Sequence, residues 1–178
     1  MSKTDIVYNA SVTLSRFHRS NAFYRGVMGP VRGGKSTACC WEIMSRAQRQ
    51  APDANKVRRT RFAVIRNTYR ELLDTTIKTW QDWFSPEQFG SVNLNTMTHS
   101  ISMKQEDKTT CEVEVMFRAL DRPTDIKKLL SMELTGAWVN EAREIPRGVI
   151  DTLGDRVGQF PSLKDGGCTW RGVFMDTN

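Results

Sequence analysis

Gly29-Pro30-Val31-Arg32-Gly33-Gly34-Lys35-Ser36-Thr37 fits the pattern G-x-x-x-x-G-K-[ST] at every fixed position. The pattern has a chemical origin. Glycines let backbone N–H groups turn inward around a β-phosphate, Lys35 reaches the β- and γ-oxygens, and the Ser36 hydroxyl is placed to ligate Mg²⁺. The flanks agree. Residues 22–28 form a short β-rich run and residues 36–50 have helical composition, so strand, loop and helix follow in the required order. The helix N-terminus adds its partial positive charge at the same place. A nucleoside-triphosphate site is therefore predicted, with residues 29–37 as its cradle.

With 178 residues the chain fits one domain, 1–178, long enough to bury a core. Its net charge of +6 suits a polyanionic partner. The basic run Lys56-Val57-Arg58-Arg59-Thr60-Arg61 reads either as a DNA-facing loop or as a solvated one. Cys39 and Cys40 are adjacent on the predicted helix, and Cys111 and Cys168 lie far apart. This is neither zinc-ligand nor disulfide spacing, and it suits small apolar residues in a reducing compartment. Nothing near Met1 resembles a signal peptide, and no apolar run approaches the ~18 residues needed to span a membrane, so an intracellular chain is expected.

Beyond the first helix, residues 51–55 make a turn and residues 61–66 a buried strand. Leu73, Ile77, Trp80 and Phe84 then recur at the spacing of an amphipathic helix over residues 69–84. Residues 100–103 and 112–117 alternate as a hairpin across a polar turn. A short helix is expected over 125–131, a strand over 134–139, a helix over 146–153 with Pro146 at its first position, and a strand over 170–175. Alternating strands and helices predict an α/β phosphate-loop fold. It has a mainly parallel central sheet flanked by helices, with the hairpin as an antiparallel insertion.

Hydrolysis needs a second strand that carries acids to its C-terminal edge. Gly136-Ala137-Trp138-Val139-Asn140-Glu141 is the candidate. Glu141 takes the place of the water-activating base. The metal-side position is Asn140, whose amide oxygen can accept a water-mediated contact to Mg²⁺. An arginine at the γ-phosphate would offset developing charge. Arg32 lies within the loop and reaches the phosphates in cis or stiffens the loop, and Arg156, read as a loop residue, would serve a neighbouring subunit.

These motifs converge on one family. The loop GPVRGGKST, the segment AVIRNTYRELLDTTIKTW, the segment FRALDRPTDIKKLLSMELTGAWVNEAREIP and the terminal strand ending in MDTN follow in order from about Phe17 to Asn178. In this the chain resembles the N-terminal ATPase domain of the large terminase subunit of tailed bacteriophages, the motor that packages DNA into the procapsid. The resemblance implies ATP and Mg²⁺ as ligands, with Lys35 and Ser36 at the phosphates and the metal, Arg32 as the loop arginine and Glu141 as the catalytic glutamate. It makes Asp176-Thr177-Asn178 the coupling motif and Phe17 with its neighbours the adenine-contacting segment. It also implies double-stranded DNA, a portal protein and a small terminase subunit as partners, a homo-oligomeric ring on the portal, and action in the host cytoplasm.

Two departures stand out. Asn140 replaces the usual aspartate, and the nuclease domain that follows in large terminases is not encoded in these residues, so the chain is expected to be the motor half, ending at the coupling motif. A helicase-like DNA-dependent ATPase and a catalytically inactive nucleotide-binding module remain the alternatives.

Overall fold

Residues 7–121 and 123–178 are described by the computed structural model of the chain. Their strands are β1 (Tyr24–Met28), β2 (Val57–Arg66), β3 (Ser91–Asn93), β4 (Thr98–Lys104), β5 (Thr110–Ala119), β6 (Gly136–Asn140) and β7 (Gly172–Thr177). All seven join one sheet in the order β1-β7-β6-β2-β5-β4-β3. The β1, β7, β6, β2 and β5 ladder is parallel, and β3 and β4 extend it antiparallel. The predicted α/β architecture with its hairpin is the one observed.

The central strands read as continuous apolar runs because both faces are covered. Phe62, Val64, Trp138 and Phe174 face one side, where they meet α1 (Val12–Arg19), α2 (Lys35–Arg49) and α4 (Lys78–Trp83). Ala63, Ile65, Ala137, Val139 and Val173 face the other, under α5 (Pro123–Leu129) and α6 (Arg147–Arg156). Cys39, Cys40 and Cys111 are buried, and all four cysteines are free. Among the described residues no helix is long and apolar enough to cross a membrane.

Several sequence expectations change. Between α3 (Tyr69–Glu71) and α4 the chain takes a π-helical turn, Leu72–Ile77. A π turn holds more than 3.6 residues, which shifts the phase of the apolar stripe. Leu72 and Thr76 face inward with Trp80 and Phe84, and Leu73 is exposed. The arginines of the basic run are not on a loop but in the first half of β2, and Lys56 lies in the turn that leads into it. Arg58 pairs with Asp107, Arg59 with Asp53 and with Glu112 at 3.4 Å, and Arg61 with Glu114 at 2.5 Å, so acids on neighbouring segments neutralise the three arginines. Arg156 is the last residue of α6 rather than a loop residue, and Pro146 is that helix's N-cap rather than its first residue. Asp176 and Thr177 lie within β7, not beyond it. Helix α1 is an element that the sequence expectations did not include.

A buried ion cluster ties α1, β1 and α2 together. Glu42 is fully buried and accepts from His18 Nδ1 at 2.5 Å, from Arg46 Nε at 2.6 Å and from Arg25. Arg25 lies over the rings of Phe17 and Trp170 at 5.0 and 5.2 Å, and Arg46 over Trp170 at 4.6 Å. Burial pushes the Glu42 carboxyl up, but the His18 hydrogen bond and the two guanidinium groups outweigh it, and the net shift is downward. His99 is also fully buried. Trp80 Nε1 donates to its Nδ1 at 2.8 Å, which leaves the proton on Nε2, 2.5 Å from the Phe89 carbonyl. Burial lowers its pKa, only partly opposed by that carbonyl.

Glu42→Ala strands two buried guanidinium groups and should cost about 3–5 kcal/mol in a urea titration. A loss under about 1 kcal/mol, the worth of an exposed pair, would contradict the cluster's role. The pKa values of Glu42 and His99 both lie below their unfolded values, so both groups stabilise at neutral pH and lose that contribution on acidification. The His99 loss begins below about pH 6.5 and the Glu42 loss only below about pH 4.3. Stability should therefore fall as pH drops from about 7 to about 5, and His99→Gln should flatten that slope.

Candidate functional site

The C-terminal ends of β1, β7 and β6 meet at one edge of the sheet, the position where open parallel sheets bind ligands. From Met28 the chain enters the loop 29–34. Arg32 and Gly34 hold φ of 65° and 73° there, and Gly34 is the N-cap of α2. The left-handed turn directs successive N–H groups to the same side. The first helical bond is Ala38 N to Gly34 O at 2.9 Å. Among the described residues the N–H groups of Gly34, Lys35, Ser36 and Thr37 find no acceptor. Together with the helix dipole they form an anion site.

Lys35 is 7% exposed, and its ammonium donates to Gly29 O at 2.9 Å, Pro30 O at 2.8 Å and Asn178 Oδ1 at 2.9 Å. All three of its donors are thereby used. Asn178 also donates through Nδ2 to Glu141 Oε1 at 2.8 Å and through its backbone N–H to Oε2 at 3.3 Å. It thus bridges the loop lysine and the glutamate that follows β6. Glu141 sits at φ 52°, ψ 57°, a left-handed turn that lifts its side chain off the end of the strand.

Ser36 Oγ donates to Asp176 Oδ2 at 2.6 Å. Asp176 is fully buried and accepts also from Trp138 Nε1 at 2.8 Å and from Asn140 Nδ2 at 3.0 and 3.1 Å. Asn140 is therefore oriented opposite to expectation. Its Oδ1 accepts from Thr76 Oγ1 at 2.7 Å, and its amide nitrogen, not its oxygen, faces Ser36 and Asp176. The reverse orientation would press an amide oxygen against two carboxylate oxygens. Thr76 is buried there because of the π turn.

Other sequence-predicted residues lie elsewhere. Arg32 is exposed, and among the described residues its guanidinium has no partner. Arg156 donates to the Leu130 carbonyl at 3.0 Å, away from the loop. Phe17 is 6% exposed and edge-on to Phe174 at 6.2 Å, a core position rather than an open face for a base. Thr177 meets the loop through its carbonyl, which accepts from Gly29 N at 3.4 Å, and its Oγ1 is buried without a partner among the described residues. The sequence pattern does not single out Thr76, Trp138 or Arg66. Arg66, on β2, is 7% exposed and lies 3.5 Å from Glu71 and 3.4 Å from Glu144. Only neighbourhood in the folded chain, invisible in a linear pattern, identifies these three.

The unpaired N–H groups, a lysine on displaceable carbonyls and a serine hydroxyl beside a buried carboxylate fit a phosphate chain with a hydrated divalent cation.

No protein-family model matches the sequence, and no curated protein matches it significantly. Solved structures do match in fold. The large terminase of a thermophilic bacteriophage superposes with a TM-score of 0.64 at 12% identity, over 93% of this chain and 35% of that one. The same protein in complex with ADP gives 0.61 at 11%, over 87% and 33%. The ATPase domain of the Thermus phage P74-26 large terminase gives 0.56 at 18%, over 96% and 66%. The chain thus has the fold of large-terminase ATPase domains and spans about a third of the first of these proteins.

Trp138→Phe deletes a buried donor to Asp176 and leaves a cavity where the larger indole stood. The lost hydrogen bond to a charged group should cost about 1.5–3 kcal/mol, and the cavity adds to that loss. An unchanged urea midpoint would show that the indole does not hold the carboxylate.

Proposed function

We propose that this chain is the ATP-hydrolysing motor domain of a phage DNA-packaging terminase. The observation that carries the reading is the link from Lys35 through Asn178 to Glu141, at the edge where the loop 29–37 meets β6 and β7. The fold shared with the thermophilic-phage terminase, solved with ADP and with ATP-γ-S, supports a nucleotide as the ligand.

In this reading the triphosphate takes the place of the loop carbonyls and Asn178 on the Lys35 ammonium. The N–H groups of residues 34–37 receive its oxygens. Mg²⁺, when bound beside Ser36, supplies charge neutralisation at the β- and γ-phosphates. Glu141 orients the attacking water and takes its proton as the water oxygen bonds to the γ-phosphorus and the bond to the ADP oxygen breaks. Arg32, exposed and unpartnered among the described residues, is the arginine available in cis; Arg156 is held on the Leu130 carbonyl, so a role in trans would first require its release.

The Asn178 bridge gives coupling a physical form. Phosphate that draws Lys35 off Asn178 leaves that side chain bonded to Glu141 alone, and loss of the γ-phosphate restores the bridge. Asp176-Thr177-Asn178 thus reads as the segment that reports nucleotide state to the rest of a motor. The wider assembly proposed comprises double-stranded DNA as cargo, a ring on a portal protein, a small terminase subunit and a nuclease domain, acting in the host cytoplasm.

Steady-state ATP hydrolysis with Mg²⁺, with and without double-stranded DNA, tests this. Lys35→Ala should abolish nucleotide binding. Glu141→Ala should retain binding and lose about 10²–10⁴-fold in turnover, the range of a general base. Turnover indifferent to both substitutions, or no nucleotide binding by the parent chain, would overturn the reading.

A further inference from the structure

Asn140 stands where the metal-side acid was sought, and its amide cannot supply a negative charge. Its oxygen is occupied by Thr76, and its nitrogen points to Ser36. A carboxylate is nevertheless present at the same level of the sheet, one strand nearer the loop. Asp176 on β7 is the direct register partner of Asn140 on β6 and of Val27 on β1. Because β7 lies between β1 and β6, its C-terminal end is the closest strand end to the loop that follows β1.

We propose that Asp176 supplies the carboxylate to the nucleotide-bound divalent cation, together with the Ser36 hydroxyl, in place of the residue at 140. The inference rests on the nucleotide reading of the site.

Three observations carry it. Ser36 Oγ, the loop hydroxyl, donates its proton to Asp176 Oδ2 at 2.6 Å and, beside the long 3.5 Å contact from Asn140 Nδ2, keeps a lone pair for a cation. The carboxylate is fully buried, yet its partners are a hydroxyl, an indole and an amide, all neutral, and among the described residues no cation lies within ion-pair range. A buried carboxylate with only neutral donors is completed by a cation. Finally, Trp138 Nε1 and Asn140 Nδ2, both from β6, fix the carboxylate plane toward the loop, as outer groups fix a metal-facing ligand.

The chemistry of the set selects the ion. No group of three or more His, Cys, Asp or Glu is placed to hold a metal among the described residues. One carboxylate and one hydroxyl do not make a cage. They suit a hard cation that arrives with the phosphates and keeps several waters, which is the habit of Mg²⁺. Asn140 then has a positive role. A carboxylate at 140 would stand about 3 Å from Asp176, and like charges so close cannot both ionise freely. The amide instead donates to both oxygens.

The test measures binding. ATP-γ-S affinity is determined by calorimetry with Mg²⁺ and in EDTA for the parent chain, Asp176→Asn, Asn140→Asp and the double exchange Asn140→Asp/Asp176→Asn. In the parent chain Mg²⁺ should tighten binding, and Asp176→Asn should remove about 10–100-fold of that enhancement while leaving the EDTA value unchanged. Asn140→Asp alone should not raise the enhancement. The double exchange, which keeps the charge and moves it one strand, should recover part of it and thereby show that Asp176→Asn has not merely unfolded the site. Binding of Mn²⁺ in the presence of ADP, followed by electron paramagnetic resonance, should fall in parallel in Asp176→Asn. A full Mg²⁺ enhancement in Asp176→Asn overturns the proposal while the nucleotide site stands. Equal parent affinity with Mg²⁺ and in EDTA does the same. No ATP-γ-S binding to the parent chain in either condition overturns the nucleotide reading itself, and this inference with it.

Discussion

The insertion of β7 between β1 and β6 is the constraint on which the site depends. Parallel pairing on both sides sets Val27, Asp176 and Asn140 level with one another, so the loop after β1 and the turn after β6 are both within reach of the last residues of β7. Each of those residues meets a different part of the edge. Asp176 binds Ser36, Thr177 meets Gly29 through its carbonyl, and Asn178 joins Lys35 to Glu141. A shift of one residue in that register would turn Asp176 to the opposite face and break all three links, because strand side chains alternate.

The loop must also be held still from behind, and the Glu42 cluster does this. Glu42 lies two turns into the helix whose first turn carries Lys35 and Ser36. Its ion pair with Arg25 fixes α2 against β1, the strand that leads into the loop, and its hydrogen bond with His18 fixes it against α1. Strand and helix on either side of the loop are thus clamped through one buried carboxylate. A buried ion cluster contributes little net stability compared with an apolar core, but breaking it is costly, so it enforces one geometry. That suits an anion site whose N–H groups must stay aligned.

The linear sequence made the loop, both flanking elements, the β6 strand and the hairpin legible, because each is encoded within about ten consecutive residues by glycines, period or turn chemistry. What it hid is non-local. The phase of the stripe over residues 69–84 depends on a π turn, and only that turn explains why Thr76, not Leu73, is inside. The basic run reads as a cationic surface until β2 pairs with β5 and brings Glu112 and Glu114 alongside. The resemblance places Phe17 in an adenine-contacting segment, whereas α1 packs its ring into the core. Asp176 is legible as part of a motif but not as a neighbour of Ser36, from which 140 residues separate it.

That last pair changes how Asn140 is understood. Read along the chain, asparagine before Glu141 is a lost charge, and the lost charge suggests an inert site. Across the sheet the charge is retained and displaced by one strand, a lateral step of about 4.8 Å. The displacement suits the amide, which accepts from Thr76 Oγ1 on one side and donates to Asp176 on the other. Aspartate at 140 could accept from Thr76 but would face Asp176 with a second negative charge. Asparagine alone among residues of this size satisfies both neighbours, so Asn140 and Asp176 form a single arrangement in which neither choice can be judged without the other.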